Sequence, residues 1–153
     1  MSVGGKGSSA GTLPDASLVD LEVAWADRER EASTLHAGGH LSMSLALRFY
    51  CLEIRLKTII CKVLKLDALP RELMTHDLNK LIKYTGLFAL LNDPSNTSLK
   101  RSWDELALFV TTHRLDGVRD KPEGALKPGE YAAYIRFFDD PKDGVWSWLS
   151  RLP

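Results

Sequence analysis

The sequence predicts an all-α fold: a bundle of four to five helices, running up and down, with a short C-terminal helix. Two observations carry that expectation. Apolar residues recur at three- and four-residue spacing in every substantial segment, and no stretch alternates apolar and polar as a half-buried strand does. Helix caps, glycines and prolines then punctuate those segments at the places where helices start and stop. With 153 residues, 44% apolar and 26% charged, the chain suits one domain with a real core.

The first predicted helix runs from Ser17 to Leu35, with Leu18, Leu21, Trp25, Ala32 and Leu35 on one side. Ser17 followed by Asp20 is a capping pair, and Gly38–Gly39 ends the segment. The second, from about Ser42 to Leu66, carries two apolar stripes. One is Leu45, Phe49, Leu52, Leu56, Ile59, Val63 and Leu66; the other is Met43, Leu47, Tyr50, Ile54 and Cys61. At 100° per residue they lie on roughly opposite sides of the cylinder. A helix apolar on two sides is central in its bundle, or it packs inward on one side and onto another subunit on the other. Met43, Leu47, Tyr50 and Ile54 are the predicted homodimer contact; the competing reading is that the first or the fifth helix covers them. Arg48, Arg55 and Lys62 form a basic seam between the stripes, and with Lys65 they are candidate phosphate contacts for nucleic acid.

Leu69–Pro70 interrupts the pattern. A third helix is predicted from Thr75 as N-cap, with Asp77 in its first turn and Leu78, Leu81 and Ile82 facing inward, stopping before Gly86. LFALL at 87–91 reads as a further short turn. After a polar loop, a fourth helix places Leu99, Trp103, Leu106, Val110 and His113 on one line, which makes His113 a core or helix-end histidine. Gly117 is expected to end that helix. Pro128 opens a fifth, with Tyr131, Tyr134, Ile135 and Phe138 inward, and Val145, Trp146, Trp148 and Leu149 mark the last short helix.

The net charge is zero, so nothing global steers the chain to nucleic acid or membrane. Only residues 41–83 are net basic, with eight cations against four acids. No apolar run approaches the roughly 18–20 residues of a membrane span. Residues 1–15, rich in Gly and Ser, read as a flexible tail without the apolar core of a signal peptide, which favours a cytoplasmic location; the domain is expected over 16–153. Cys51 and Cys61 lie about 15 Å apart along one helix, too far for a disulfide. His36 and His40 are four apart, but the glycine pair between them spoils the helical spacing a metal would need. No metal site and no cofactor is read from the sequence.

Five segments together resemble the HEPN-domain family: DLEVAWADRERE (20–31), ALRFYCLEIRLKTIICKVL (46–64), LPRELMTHDLNKLIKYTGL (69–87), SWDEL (102–106) and DGVWSWL (143–149). In the second, Glu53 and Lys57 fit the family's "E, then LK"; the third resembles its "HDL, then a leucine pair". The resemblance spans residues 18–150 and implies a bundle of four or five helices, often dimeric. It also implies RNA, a nucleotide, or a protein such as an antitoxin or nucleotidyltransferase as partner, in a defence, toxin–antitoxin or stress setting.

Ribonuclease members carry an arginine followed, after four to six residues, by histidine. At the matching place this chain reads HRLDGVRDKPEG (113–124). Arg119 fits the arginine, but no histidine follows it, His113 precedes it, and Asp120 stands where relatives have tyrosine. Arg71 to His76 and Arg30 to His36 have the spacing elsewhere, as ten arginines and four histidines produce by chance. The expected mode is therefore binding. The enzyme alternative is a metal-independent ribonuclease with a non-standard site drawn from Arg119, Asp120, His113 and His76. A third reading is a purely structural assembly module. His76 and Asp77 diverge by about 100° on a helix, so they do not make a ready acid–base couple.

Overall fold

The computed structural model describes residues 16–152. The tail expected over 1–15 lies outside the described residues. The described chain is helical and contains no strand; Ser17 and Ala68 form a single isolated antiparallel bridge. Four helices are long: α1 (Leu18–Ala37), α2 (Leu41–Leu64), α5 (Thr97–Thr111) and α7 (Pro128–Asp139). Four are short: α3 (Leu78–Ile82), α4 (Phe88–Leu91), α6 (Arg114–Asp120) and α8 (Val145–Ser150). Among the described residues no helix is long and apolar enough to cross a membrane.

α1 and α2 form an antiparallel hairpin packed along their length. Ser17 caps α1 by accepting from the Asp20 amide at 3.1 Å. The hairpin's open end is tied by Leu18 N donating to Asp67 O and Leu69 N donating to Ala16 O, at 2.7 and 2.8 Å. α2 is the central helix: 15 of its 24 residues are buried, and α1, α3, α6 and α7 all pack on it. Phe49 is the hub where three helices meet. Its ring stacks on Phe109 of α5 at 4.8 Å and meets Phe138 of α7 edge-on at 5.1 Å. Trp103, 1% exposed, satisfies its indole N–H on Asn79 Oδ1 at 2.9 Å.

Three boundaries differ from the sequence reading. Asp77, not Thr75, caps α3: its carboxylate accepts from the Lys80 amide at 3.1 Å, while Thr75 Oγ1 accepts from the Asp77 amide at 3.2 Å. Aspartate is the better N-cap of the two, and it wins the position. The helix then stops at Ile82, short of Gly86. Further on, α5 ends at Thr111, and Gly117 lies inside α6 instead of ending a helix. Thr111 and Thr112 both turn their hydroxyls back onto the Leu108 carbonyl, at 3.3 and 2.7 Å, which competes with the helical ladder. His113 follows in the left-handed conformation, φ 61°, and reverses the chain. Its side chain is 83% exposed, so of the two expected positions, core or helix end, it takes the helix end, as the residue that precedes α6.

The N-terminus of α2 has no local cap, because His40 makes no side-chain bond there. Glu123, from the loop before α7, supplies one. Its two carboxylate oxygens accept from the Ser42 and Met43 amides at 3.0 and 3.1 Å. An anion on the exposed amides of a helix start satisfies both the orphan donors and the dipole.

Cys51 lies under α1, its thiol donating to the Trp25 carbonyl at 3.2 Å. Burial, and next the charge of Glu29, pushes that thiol from 9.0 up to about 12. A group whose folded-state pKa is raised stabilises fully below its unfolded value, and loses that contribution as pH climbs towards the folded one. Unfolding free energy, measured in urea, should therefore fall between about pH 8.5 and 10, by at most about 1.4 kcal/mol per pH unit from this thiol. Cys51→Ala should flatten the slope, leaving the smaller part due to Cys61, which burial also raises.

Candidate functional site

A cleft of about 460 Å³ opens between α2, the segment leading into α3, the end of α5, and α6. That volume falls in the range of small-molecule sites. Its apolar walls are Val110 and Leu115; its polar groups are Tyr50, Thr75, His76, Asp77, Thr111, His113, Asp116 and Arg119. Arg119, His113 and His76, three of the sequence-derived candidates from separate segments, thus share one cavity. Asp120 is not among its lining residues and instead holds Arg119 from behind, accepting from Nε at 3.1 Å.

The cleft depends on α6, which buries none of its own residues fully. Leu115 and Val118 rest partly on the core. Arg114 ties the start of the helix to α7, donating to the Tyr134 hydroxyl and to Glu130, both at 2.9 Å. With its start so held, α6 turns Arg119 towards Tyr50. The guanidinium is held above its ordinary arginine value by Asp120 first, then by hydrogen bonding to Tyr50 and by Asp116. It therefore stays cationic, and its five N–H donors exceed those three contacts.

Each cleft histidine has a carboxylate beside Nδ1. His76 meets Glu53 Oε1 at 2.7 Å, a short bond; His113 meets Asp116 Oδ2 at 3.4 Å, a long one. Glu53 in turn accepts from Lys57 Nζ at 2.7 Å through its other oxygen. The side chains of Glu53 and Lys57 are each 11% exposed, whereas that of His76 is 79% exposed. A buried ion pair thus anchors an exposed imidazole by one nitrogen, and among the described residues Nε2 has no partner. This is the arrangement in which a base is oriented by a fixed third group. Asp77, whose carboxylate caps α3, is already engaged.

The basic seam lies elsewhere. Arg48 makes two bonds to Asp139 and stacks over Phe138. Arg55, 8% exposed, bonds Thr58 and lies over Trp25. Lys62 pairs with Glu22 at 2.8 Å, and Lys65 is the exposed left-handed residue that ends α2. The heads of Arg48, Arg55 and Lys62 are therefore committed within the chain, zipping α1 and α7 onto α2. Of the predicted contact stripe, Met43 is 37% exposed while Leu47, Tyr50 and Ile54 are half-buried; Tyr50 lines the cleft. Among the described residues no group of three or more His, Cys, Asp or Glu is placed to hold a metal ion.

Tyr50 and Asp116 were not read as cleft residues from the sequence, nor Glu53 as the anchor of one. Tyr50, Glu53 and Lys57 share one side of α2 at helical spacing, and a charged pair on a helix apolar on two sides was the available signal. No family model matches the chain, and no curated protein or solved structure matches it either.

Proposed function

We propose that this chain is a small cytoplasmic HEPN-like helical protein that acts by binding, its cleft taking RNA or a nucleotide. The observation that supports this best is the convergence of Arg119, His113 and His76 on one cavity of suitable size. Arg119 offers a permanent cation with a donor fork for phosphate. Tyr50, Val110 and Leu115 offer apolar surface for a base. The HEPN resemblance adds a second copy of the chain, meeting through the Met43 side of α2. It also adds a protein partner such as an antitoxin or nucleotidyltransferase, in a defence or stress setting.

One observation favours a second reading, a metal-independent ribonuclease: the Glu53–His76 pair. His76 Nε2 would take the proton of a ribose 2′-hydroxyl as O2′ attacks the adjacent phosphorus. The bond to O5′ breaks, and His113 is the group placed to give O5′ a proton. A 2′,3′-cyclic phosphate and a 5′-hydroxyl end result. Arg119 would stabilise the charge that develops on the phosphoryl oxygens.

Both readings are tested with labelled RNA and with AMP. Wild-type protein should bind both, and Arg119→Ala should weaken binding about 10-fold or more, the worth of a charge-assisted bond. His113→Gly should weaken it without loss of stability, because glycine suits the left-handed position. Cleavage in EDTA that disappears in His76→Ala supports the ribonuclease; intact RNA throughout removes it. Wild-type protein that binds neither probe removes the binding reading.

A further inference from the structure

The outer face of α3 continues from the lip of the cleft. His76 and Asp77 line the cavity, and α3 begins at the next residue. Leu78, Leu81 and Ile82 are buried, so Lys80, Lys83 and Tyr84, at spacing three and four from Lys80, lie on the opposite, exposed side. Tyr84 and Phe88 are large aromatics, each 45% exposed. The Lys83 ammonium sits 5.8 Å from the centre of the Phe88 ring. Lys80 donates to the Glu72 backbone carbonyl at 2.9 Å. Among the described residues neither lysine is paired with a carboxylate, in contrast to Lys57, Lys62 and Lys100.

Tyr84 and Phe88 are both 45% exposed, with the Lys83 ammonium over the Phe88 ring, so aromatic surface and positive charge are presented together. Two unneutralised cations beside them specify the complement: a partner carrying negative charge together with flat π-faces. Single-stranded nucleic acid has both, a phosphate on every unit and a base that stacks on an aromatic ring whatever its sequence. A duplex hides its base faces, and an acidic peptide carries anions without a stacking π-face on every unit. We propose that Lys80, Lys83, Tyr84 and Phe88 form a stacking platform for single-stranded nucleic acid, leading out of the cleft. The proposal rests on the reading of the cleft as an RNA or nucleotide site, and extends it to the strand flanking the bound unit.

The platform is tested on the full chain by fluorescence anisotropy, with a labelled oligoadenylate, its abasic ribose-phosphate counterpart, a duplex RNA, and AMP. Tyr84→Ala and Phe88→Ala should each weaken oligoadenylate binding roughly 5- to 150-fold, the range of one lost stacking contact. Tyr84→Phe, which keeps the ring, should bind as wild type does. Lys80→Gln with Lys83→Gln should lower the slope of log affinity against log salt by about 1.4, two contacts at about 0.7 each. The abasic chain and the duplex should bind more weakly than the oligoadenylate. These substitutions lie outside the cleft, so AMP affinity should not change. Loss of AMP binding by the wild type, with the aromatic effects intact, would overturn the cleft reading and leave the platform standing. The platform itself is overturned if wild type ignores the oligoadenylate, if both alanine variants bind it normally, or if the abasic chain or the duplex binds as tightly.

Discussion

Glu53→Ala should lower the unfolding free energy by about 3–5 kcal/mol, among the largest single effects in the molecule. The cause is what remains behind. Lys57 Nζ, on a side chain only 11% exposed, has its carboxylate partner at 2.7 Å on Glu53. Removing that carboxylate leaves an ammonium desolvated and uncompensated, and also frees His76 from its anchor. Replacing both members with apolar residues of similar volume, Glu53→Leu with Lys57→Met, should restore most of the loss, because the desolvation penalty goes with the charges. Urea titration of the two variants decides the matter. A Glu53→Ala protein within about 1 kcal/mol of wild type would show that water already reaches Lys57.

Phe49→Ala should cost about 3–5 kcal/mol as well, through a different mechanism. The ring is 2% exposed, and the two aromatics it touches belong to α5 and α7. Its loss removes two ring contacts, each worth about 0.5–1.5 kcal/mol, and opens a cavity that three separate helices would have to close together. A domain of this size is stable by about 5–15 kcal/mol, so the variant should fold with a markedly lower melting temperature. Phe49→Leu, which refills much of the space, should recover part of the deficit. Equal melting temperatures for Phe49→Ala and wild type would mean that the hub is not where the bundle is held together.

The two substitutions bear on what could be read from the sequence. Phe49 was legible: it lies on an unbroken apolar stripe, and the periodicity that marks it made a central place one of the two readings of α2. Ser17 as a cap and Pro128 as a helix opener were legible for the same reason, since each acts on its own neighbours. The Glu53–His76 contact was not, because the partners are 23 residues apart across a kinked connection. Nor was Glu123 on the start of α2, a cap supplied from 81 residues away. Capping rules see local partners, and this one is tertiary.

The site divides along the same line. Arg119, His113 and His76 could be named as chemically capable residues, but nothing in their spacing said that they meet. They meet because the chain reverses at His113, in a conformation that few non-glycine residues adopt. The sequence suggested that Gly117 would end the helix, whereas the threonine pair before His113 ends it earlier and gives α6 its own direction. Arg48, Arg55 and Lys62 show the converse. Their seven-residue spacing is a correct statement about one side of α2, but Arg48 and Arg55 are drawn onto α7 and α1 and the exposed Lys62 pairs with Glu22 of α1, and the periodicity of one helix cannot say which partners its charges find.

The most direct test of the cleft as a ligand site is an amide correlation spectrum of the full chain titrated with AMP. The proposed binding mode predicts saturable shifts at Tyr50, Thr111, Leu115 and Arg119, lost in Arg119→Ala and kept in Arg136→Ala, whose arginine is exposed on α7. No saturable shift, or shifts centred on other residues and unchanged in Arg119→Ala, would contradict it.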